Sequence, residues 1–227
     1  MSTGTKERPI LMSGPMVVAT LREVGPKSQT RRVCKELPPT NAVGASYDAG
    51  DQMWAWHDAD LAVVGKRFKC PYGVPGDVLW VKEAALADPP LNGWSGDTEW
   101  DGTGRKWAGV PEKYRKPAHV IYAASWNGTP VRWKPSIHCP RWASRIRLEI
   151  VSVRVERVHD IGKDGRNARD VLAEGITRDD IDHMQKFFHP DDSPALAYGA
   201  LWDSINGKGS WSKNPFVWVL DFRKVCG

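Results

Sequence analysis

The sequence predicts an α+β fold: a small β-barrel built around one long bent strand, with helices flanking it. Three observations predict it. Over 145–158, Ile146, Leu148, Ile150, Val151, Val153, Val155 and Val158 alternate with Arg147, Glu149, Ser152, Arg154, Glu156 and Arg157. That is the period of a half-buried strand, with one break at Ile150-Val151 that reads as a bulge. Helical patterns follow near 167–173, 179–188 and 195–205, and an apolar strand at 216–222 closes the chain; strands interspersed with helices point to the mixed class. Finally, 227 residues, 41% of them hydrophobic, can bury one sizeable core, so 1–227 is expected to form a single domain.

Taken in order, 9–12 reads as a short strand. Ser13-Gly14-Pro15 starts a helix, with proline in the first turn where a missing N–H breaks no helical bond. Met16, Val17, Ala19, Thr20 and Leu21 continue the helical face, and Gly25 stops it. The stretch 29–33 is extended, which puts Lys27 on a tight loop and Thr30 at the start of a strand. The turn-rich 38–50 reads as irregular, and 70–77 is a second punctuated loop leading into a buried strand at 78–81. The Gly-, Pro-, Asp- and Trp-rich 88–109 reads as an insertion, a flap. A further short strand is expected at 119–123, and Asn206-Gly207-Lys208-Gly209-Ser210 ends the last helix.

No apolar run approaches the ~20 residues that cross a bilayer, and the N-terminal segment carries no apolar secretory core, so a cytoplasmic protein with no membrane partner is expected. Cys34, Cys70, Cys139 and Cys226 form no C-x-x-C pair, which points to reduced structural thiols rather than a disulfide framework or a zinc ribbon. His138-Cys139 is the one adjacent His/Cys pair; no metal or cofactor is expected. The net charge of +5 is unevenly spread: from Arg105 to Arg154 eleven Lys/Arg face only Glu112 and Glu149, and from Glu156 to Asp203 eleven acids face six bases. An electropositive face suits a phosphate-bearing partner. The chain has twelve tryptophans, and Arg132-Trp133-Lys134 and Arg141-Trp142 interleave rings with cations, a pattern that stacks unpaired bases while holding phosphates. Most of the twelve are nevertheless expected in packing, because tryptophan carries a large apolar area.

Chemistry is concentrated in Gly25-Pro26-Lys27-Ser28-Gln29-Thr30-Arg31-Arg32. A hydroxyl is a weak nucleophile until a neighbour takes its proton, so a lysine beside a threonine is a candidate base–nucleophile pair. Arg32 adds a fork that holds an anionic group bidentately.

Five segments in this order, Gly25-x-Lys27-x-x-Thr30-x-Arg32, Pro75-Gly76-Asp77-Val78-Leu79, the strand 147–158, Ala173-Glu174-Gly175 and 216–222, resemble the ASCH domain of the PUA-like superfamily. The chain exceeds the smallest members by two loop insertions, at about 33–72 and 84–144. With Pro135-Ser136-Ile137-His138 and Arg141-Trp142-Ala143-Ser144-Arg145 it resembles the larger members found in bacteriophages and prophages, which implies the host cytoplasm. The resemblance implies a small PUA-like β-barrel with flanking helices and a cleft. It also implies an amidohydrolase that removes an acyl group from N4 of cytidine-type substrates such as N4-acetylcytidine. Its working residues carry over to Lys27, Thr30 and Glu174, with Glu83 and Glu156 as alternatives for the last.

On that reading Lys27, its pKa lowered by desolvation or by Arg31 and Arg32, draws the proton from Thr30. Thr30 attacks the amide carbonyl, and Glu174 orients Lys27 or relays the proton to the departing amine. The loop from Gly73 to Gly76 offers N–H donors to the oxyanion, Tyr72 or Trp80 stacks the pyrimidine, and Arg32 and Arg141 take anionic groups. His138 and Asn206 line the cleft, and Lys208 approaches a phosphate. The partner is a modified nucleoside or a nucleic acid, RNA or DNA. Two other readings stay open: a non-catalytic binding module for RNA, DNA or a modified base, and a metal-independent ribonuclease. The oligomeric state is not legible in the sequence.

Overall fold

A computed structural model of the protein describes residues 4–36, 38–88, 91–92, 97–98, 107–162, 167–186 and 193–225. Most of the expected 88–109 flap, with Phe187 and Phe188 of the expected second helix and Cys226, lies outside the described residues. The chain opens with β1 (Glu7–Leu11), α1 (Gly14–Leu21) and β2 (Gln29–Val33). Three strands follow, β3 (Gly44–Asp48), β4 (Met53–His57) and β5 (Val63–Phe68). Next come β6 (Val78–Lys82), β7 (Ala85–Ala87), the two-residue strands β8 (Leu91–Asn92) and β9 (Asp97–Thr98), and β10 (Val120–Tyr122). The long β11 (Arg147–Arg157) leads to α2 (Asn167–Ala173), α3 (Arg178–Gln185), α4 (Ser193–Asn206) and β12 (Phe216–Val225). These elements group into two compact units, Met1–Leu21 with Asp77–Glu149 and Lys224–Gly227, and Arg22–Gly76 with Ile150–Arg223.

In the first unit β1 runs parallel to β6, and β6 pairs antiparallel with the start of β11, Arg147–Glu149. Ile10, Met12, Val17, Leu79, Val81 and Leu148 are buried there. β7 and β10 pair antiparallel and contribute Ala85, Val120 and Tyr122 to a small cluster with Cys139 and Ala143, against which Trp107 and Trp142 pack. Buried Glu83 accepts two hydrogen bonds from the Arg145 guanidinium, each 2.9 Å, and that guanidinium lies 4.0 Å over the Tyr122 ring.

In the second unit the rest of β11 lies beside β12, and β12 beside β2. β12 and β2 are antiparallel, in register from Val217↔Val33 to Asp221↔Gln29. Successive strand residues point to opposite faces, and β12 uses both. Val217 and Val219 join Val158, Ile161, Val171, Ile181, Tyr198 and Trp202 in a core covered by α2, α3 and α4. Phe216 and Trp218 pack instead on the sheet β3-β4-β5: Trp218 meets Trp54 and Phe68 edge-on at 5.2 and 5.7 Å, and Phe216 meets Trp56 at 4.8 Å.

Two expectations change. The 38–50 stretch is not irregular throughout, because β3 forms a hairpin with β4, and β4 with β5. Trp54, Ala55 and Trp56 are all buried, so β4 lacks the two-residue alternation that marks a half-buried strand in sequence. The α+β class holds, but the described strands lie in open sheets rather than a closed barrel: among them β1 pairs only with β6 and β2 only with β12. Among the described residues, no helix is long and apolar enough to cross a membrane.

Trp218 is 1% exposed and joins the helical layer's strand to the three-stranded sheet. Trp218→Ala is expected to cost about 3–5 kcal/mol in a urea unfolding titration. A loss below about 1 kcal/mol would mean that the two sheets do not pack through this residue.

Candidate functional site

The second unit holds a buried charge cluster organised by the loop before β2. Gly25 adopts φ +59°, a left-handed turn that favours glycine. Ser28 then ties the loop down on two sides: its N–H donates to Ala173 O at 2.9 Å, and its carbonyl accepts from Phe222 N–H at 2.8 Å. Lys27, between these constraints, is buried and points at the end of α2. Its Nζ donates to Glu174 O at 2.6 Å and to Glu174 Oε2 at 2.7 Å.

Glu174 is held from its other side by Arg31. The buried Arg31 guanidinium donates to Glu174 Oε1 at 3.2 Å and Asp170 Oδ2 at 3.1 Å, lies 3.4 Å from Glu156 Oε2, and bonds Gln29 Oε1. Asp170 and Glu174 are four residues apart, which puts both carboxylates on one side of α2. Arg154 extends the cluster, reaching Asp170 at 3.0 Å and Asp221 at 2.6 Å, and Gln29 donates to Asp221 at 2.7 Å. The Tyr198 ring lies 5.8 Å from the Arg31 guanidinium carbon.

Burial pushes the Lys27 amine below its ordinary pKa; the Glu174 carboxylate draws it part of the way back, and the charges of Arg32 and Arg31 push it down again. Burial, reinforced by Glu174, raises the Tyr198 phenol well above its usual range, so it stays protonated. For Arg31 the cost of burial is outweighed by Glu174, Glu156 and Asp170, and its charge is kept.

Thr30 is 0% exposed and its Oγ1 makes no hydrogen bond. Its place follows from register: Thr30 pairs with Leu220, whereas Arg31 pairs with Val219, so the two side chains take opposite faces of β2. The structure therefore joins Lys27 to Glu174 and leaves the Thr30 hydroxyl apart from both. Of the alternatives to Glu174, Glu156 is bound to Arg31 and Arg154, and Glu83 to Arg145 in the first unit.

The remaining candidates disperse. In the second unit, the Arg32 charge reaches Lys27 and the half-buried Tyr72. Gly76 and Gly73 already donate their N–H groups to Ile150 O and Cys70 O, so the loop as folded offers neither to an oxyanion. Asn206 bonds Trp202 O, and Lys208 is exposed in the turn after α4. Trp80, His138 and Arg141 belong to the first unit, where Arg141 and Lys82 lie 6.0 and 5.7 Å from the Trp80 ring and His138 is exposed. The expected basic face is partly neutralised: Arg141 and Arg147 bind Glu7, Arg145 binds Glu83, and Arg154 binds Glu156, Asp170 and Asp221.

An open cavity of about 920 Å³ adjoins the cluster. Pro26, Ser28 and Ala173, chain neighbours of Lys27 and Glu174, form part of its wall, and Arg22, Arg169 and Arg178 line the rest with several apolar residues. The sequence reading missed Asp170, Tyr198, Arg22 and Arg169; the i, i+4 spacing of Asp170 and Glu174 was the one signal available for them. Comparison with models of known protein families, with characterised proteins and with solved structures finds no match.

Two substitutions separate the cluster's parts. Glu174→Ala leaves Lys27 and Arg31 undercompensated and is expected to destabilise by about 3–5 kcal/mol. Thr30→Val removes a buried hydroxyl that has no partner and keeps its shape, so it is expected to be neutral or to stabilise by about 1 kcal/mol. Chemical denaturation of both variants checks this, and a large loss for Thr30→Val would mean that the hydroxyl is bonded in the folded state.

Proposed function

We propose that the chain is a nucleobase-directed amidohydrolase on an ASCH-type, PUA-like core, removing an acyl group from N4 of a cytidine-type substrate. The observation that carries this reading is the buried Lys27–Glu174 pair, 2.7 Å apart, in surroundings that lower the lysine pKa. A deprotonated lysine amine retains two N–H donors, enough for both Glu174 acceptors, and a lone pair free to take a proton. The unsatisfied Thr30 hydroxyl, three residues on, is the group that resembles the family's nucleophile. A buried polar atom left without a partner is uncommon in native structures and calls for a role.

In the acylation step Thr30 Oγ1 bonds to the acyl carbon while its proton passes to Lys27. The tetrahedral intermediate then collapses, the C–N bond breaks, and Lys27 returns the proton to the departing N4 amine. Water then attacks the resulting Thr30 ester while Lys27 accepts its proton; the acyl C–Oγ1 bond breaks, Lys27 returns the proton to Thr30 Oγ1, and the carboxylic acid leaves. Arg31 acts through Glu174 as a positioning residue. The Thr30 hydroxyl lies on the face of β2 opposite the side chain of Arg31, so this step requires β2 to reorient when substrate binds and bring Thr30 to Lys27.

Purified protein is expected to release cytidine from N4-acetylcytidine in a chromatographic assay, with turnover reduced by about 10³-fold or more in Lys27→Ala and Thr30→Val. The value of kcat/KM should rise with pH through the lowered Lys27 pKa. Glu174→Gln removes a charge that raises that pKa, so the rising limb of any remaining activity should move to lower pH. Absence of turnover by the parent, or equal turnover by Thr30→Val, would end this reading.

One observation favours a second reading, a non-catalytic module for RNA, DNA or a modified base. Lys27, Thr30 and Glu174 are all buried, whereas the cations open to solvent line the neighbouring cavity. That reading expects salt-dependent oligonucleotide binding, equal in the parent and Thr30→Val, without turnover.

A further inference from the structure

We propose that the arginine-lined cavity beside Lys27 is a phosphate site, so that the protein takes a nucleotide rather than a bare nucleoside. The nucleotide rests on the nucleobase-directed reading above; the phosphate site rests on the cavity alone.

Arg22, Arg169 and Arg178 come from three separate places, just after α1, on α2 and at the start of α3, and line the same concavity. No carboxylate lines it among the described residues. Gathering like charges in a concave surface focuses positive potential there, which draws in anions. The three play different parts. Arg22 is half-buried and fixed, its Nη1 donating to Gly175 O at 2.9 Å. Arg169 and Arg178 are exposed and have no ion-pair partner among the described residues. The Asp180 carboxylate feels the Arg22 charge but is engaged elsewhere, accepting from Thr177 N–H at 2.8 Å and Thr177 Oγ1 at 2.6 Å in the capping box of α3. Planar guanidinium forks match phosphate oxygens bidentately.

Position and size agree with this chemistry. The wall toward the Lys27–Glu174 pair is made by Pro26, Ser28 and Ala173, and the Ser28–Ala173 backbone bond of 2.9 Å holds it together. The cavity thus shares a wall with the buried pair, so a ligand held by the arginines would occupy the concavity on the other side of that wall. At about 920 Å³ the cavity can accept a nucleotide with its base and sugar as well as its phosphate.

The test is calorimetric binding of cytidine, cytidine 5′-monophosphate and a short cytidine-containing oligonucleotide, with inorganic phosphate as competitor. The parent is expected to bind a phosphorylated ligand at least about tenfold more tightly than cytidine, and Arg169→Ala and Arg178→Ala should each remove most of that gain. Arg67→Ala, which removes a charge from a surface ion pair outside the cavity, should not. Arginine dependence for the mononucleotide identifies a terminal phosphate; dependence for the oligonucleotide alone identifies a backbone phosphate, and either supports the site. Equal binding of phosphorylated and unphosphorylated ligands, unchanged affinity in both cavity variants, or an equal loss in Arg67→Ala overturns it. Binding is read without turnover, so a failure of hydrolysis leaves this result standing, and a failure here leaves the hydrolytic reading standing.

Discussion

Arg31 carries a guanidinium into the interior of the second unit, where it meets Glu174, Asp170 and Glu156. A charge in that position is tolerable only when paired and hydrogen-bonded, because desolvation alone costs several kcal/mol per ion. Much else follows from satisfying it. The end of α2 must lie over β2 to bring Asp170 and Glu174 within reach, and Arg154 on β11 must face the same point. Once Glu174 is fixed between Arg31 and Lys27, the lysine has little choice of conformation. The candidate site is thus a by-product of neutralising a buried cation, and the electrostatics that stabilise the fold also set the proton affinity of Lys27.

The two faces of β12 explain why the centre of such a cluster is buried. On one side the valines pack under three helices; on the other, Phe216 and Trp218 are roofed by the tryptophans and phenylalanine of the β3-β4-β5 sheet. A strand covered on both sides offers its neighbour β2 a position shielded from water, and Thr30, Arg31 and Gln29 occupy it. The segment between β2 and β6 therefore contributes to the burial of the region where the candidate residues sit.

What could be read in the sequence was what short-range patterning controls. β2, β6, β11, β12 and the three helices after β11 appear close to their expected places, because each shows a local period or a local stop signal. β4 escaped because tertiary packing buries it on both faces and erases the period. The Lys27–Glu174 pair was reachable only through resemblance, since 147 residues separate its members. That Thr30 and Arg31 point to opposite faces follows from strand alternation alone, but which of them faces the helices depends on the pairing of β2 with β12, a partner 190 positions away at Leu220↔Thr30, and no local feature announces that.

The span of these contacts has a consequence for how the chain is made. Gln29 reaches Asp221 across 192 residues, and a ribosome adding roughly 5–20 residues per second needs on the order of 10–40 s to deliver the second after the first. During that interval β2 has emerged with its basic residues unmatched and with no β12 to pair against, and long-range closure of this kind is slow in itself. β2 must therefore wait unpaired until β12 has been made, and the closing of β12 on β2 is the event that commits the second unit to its fold.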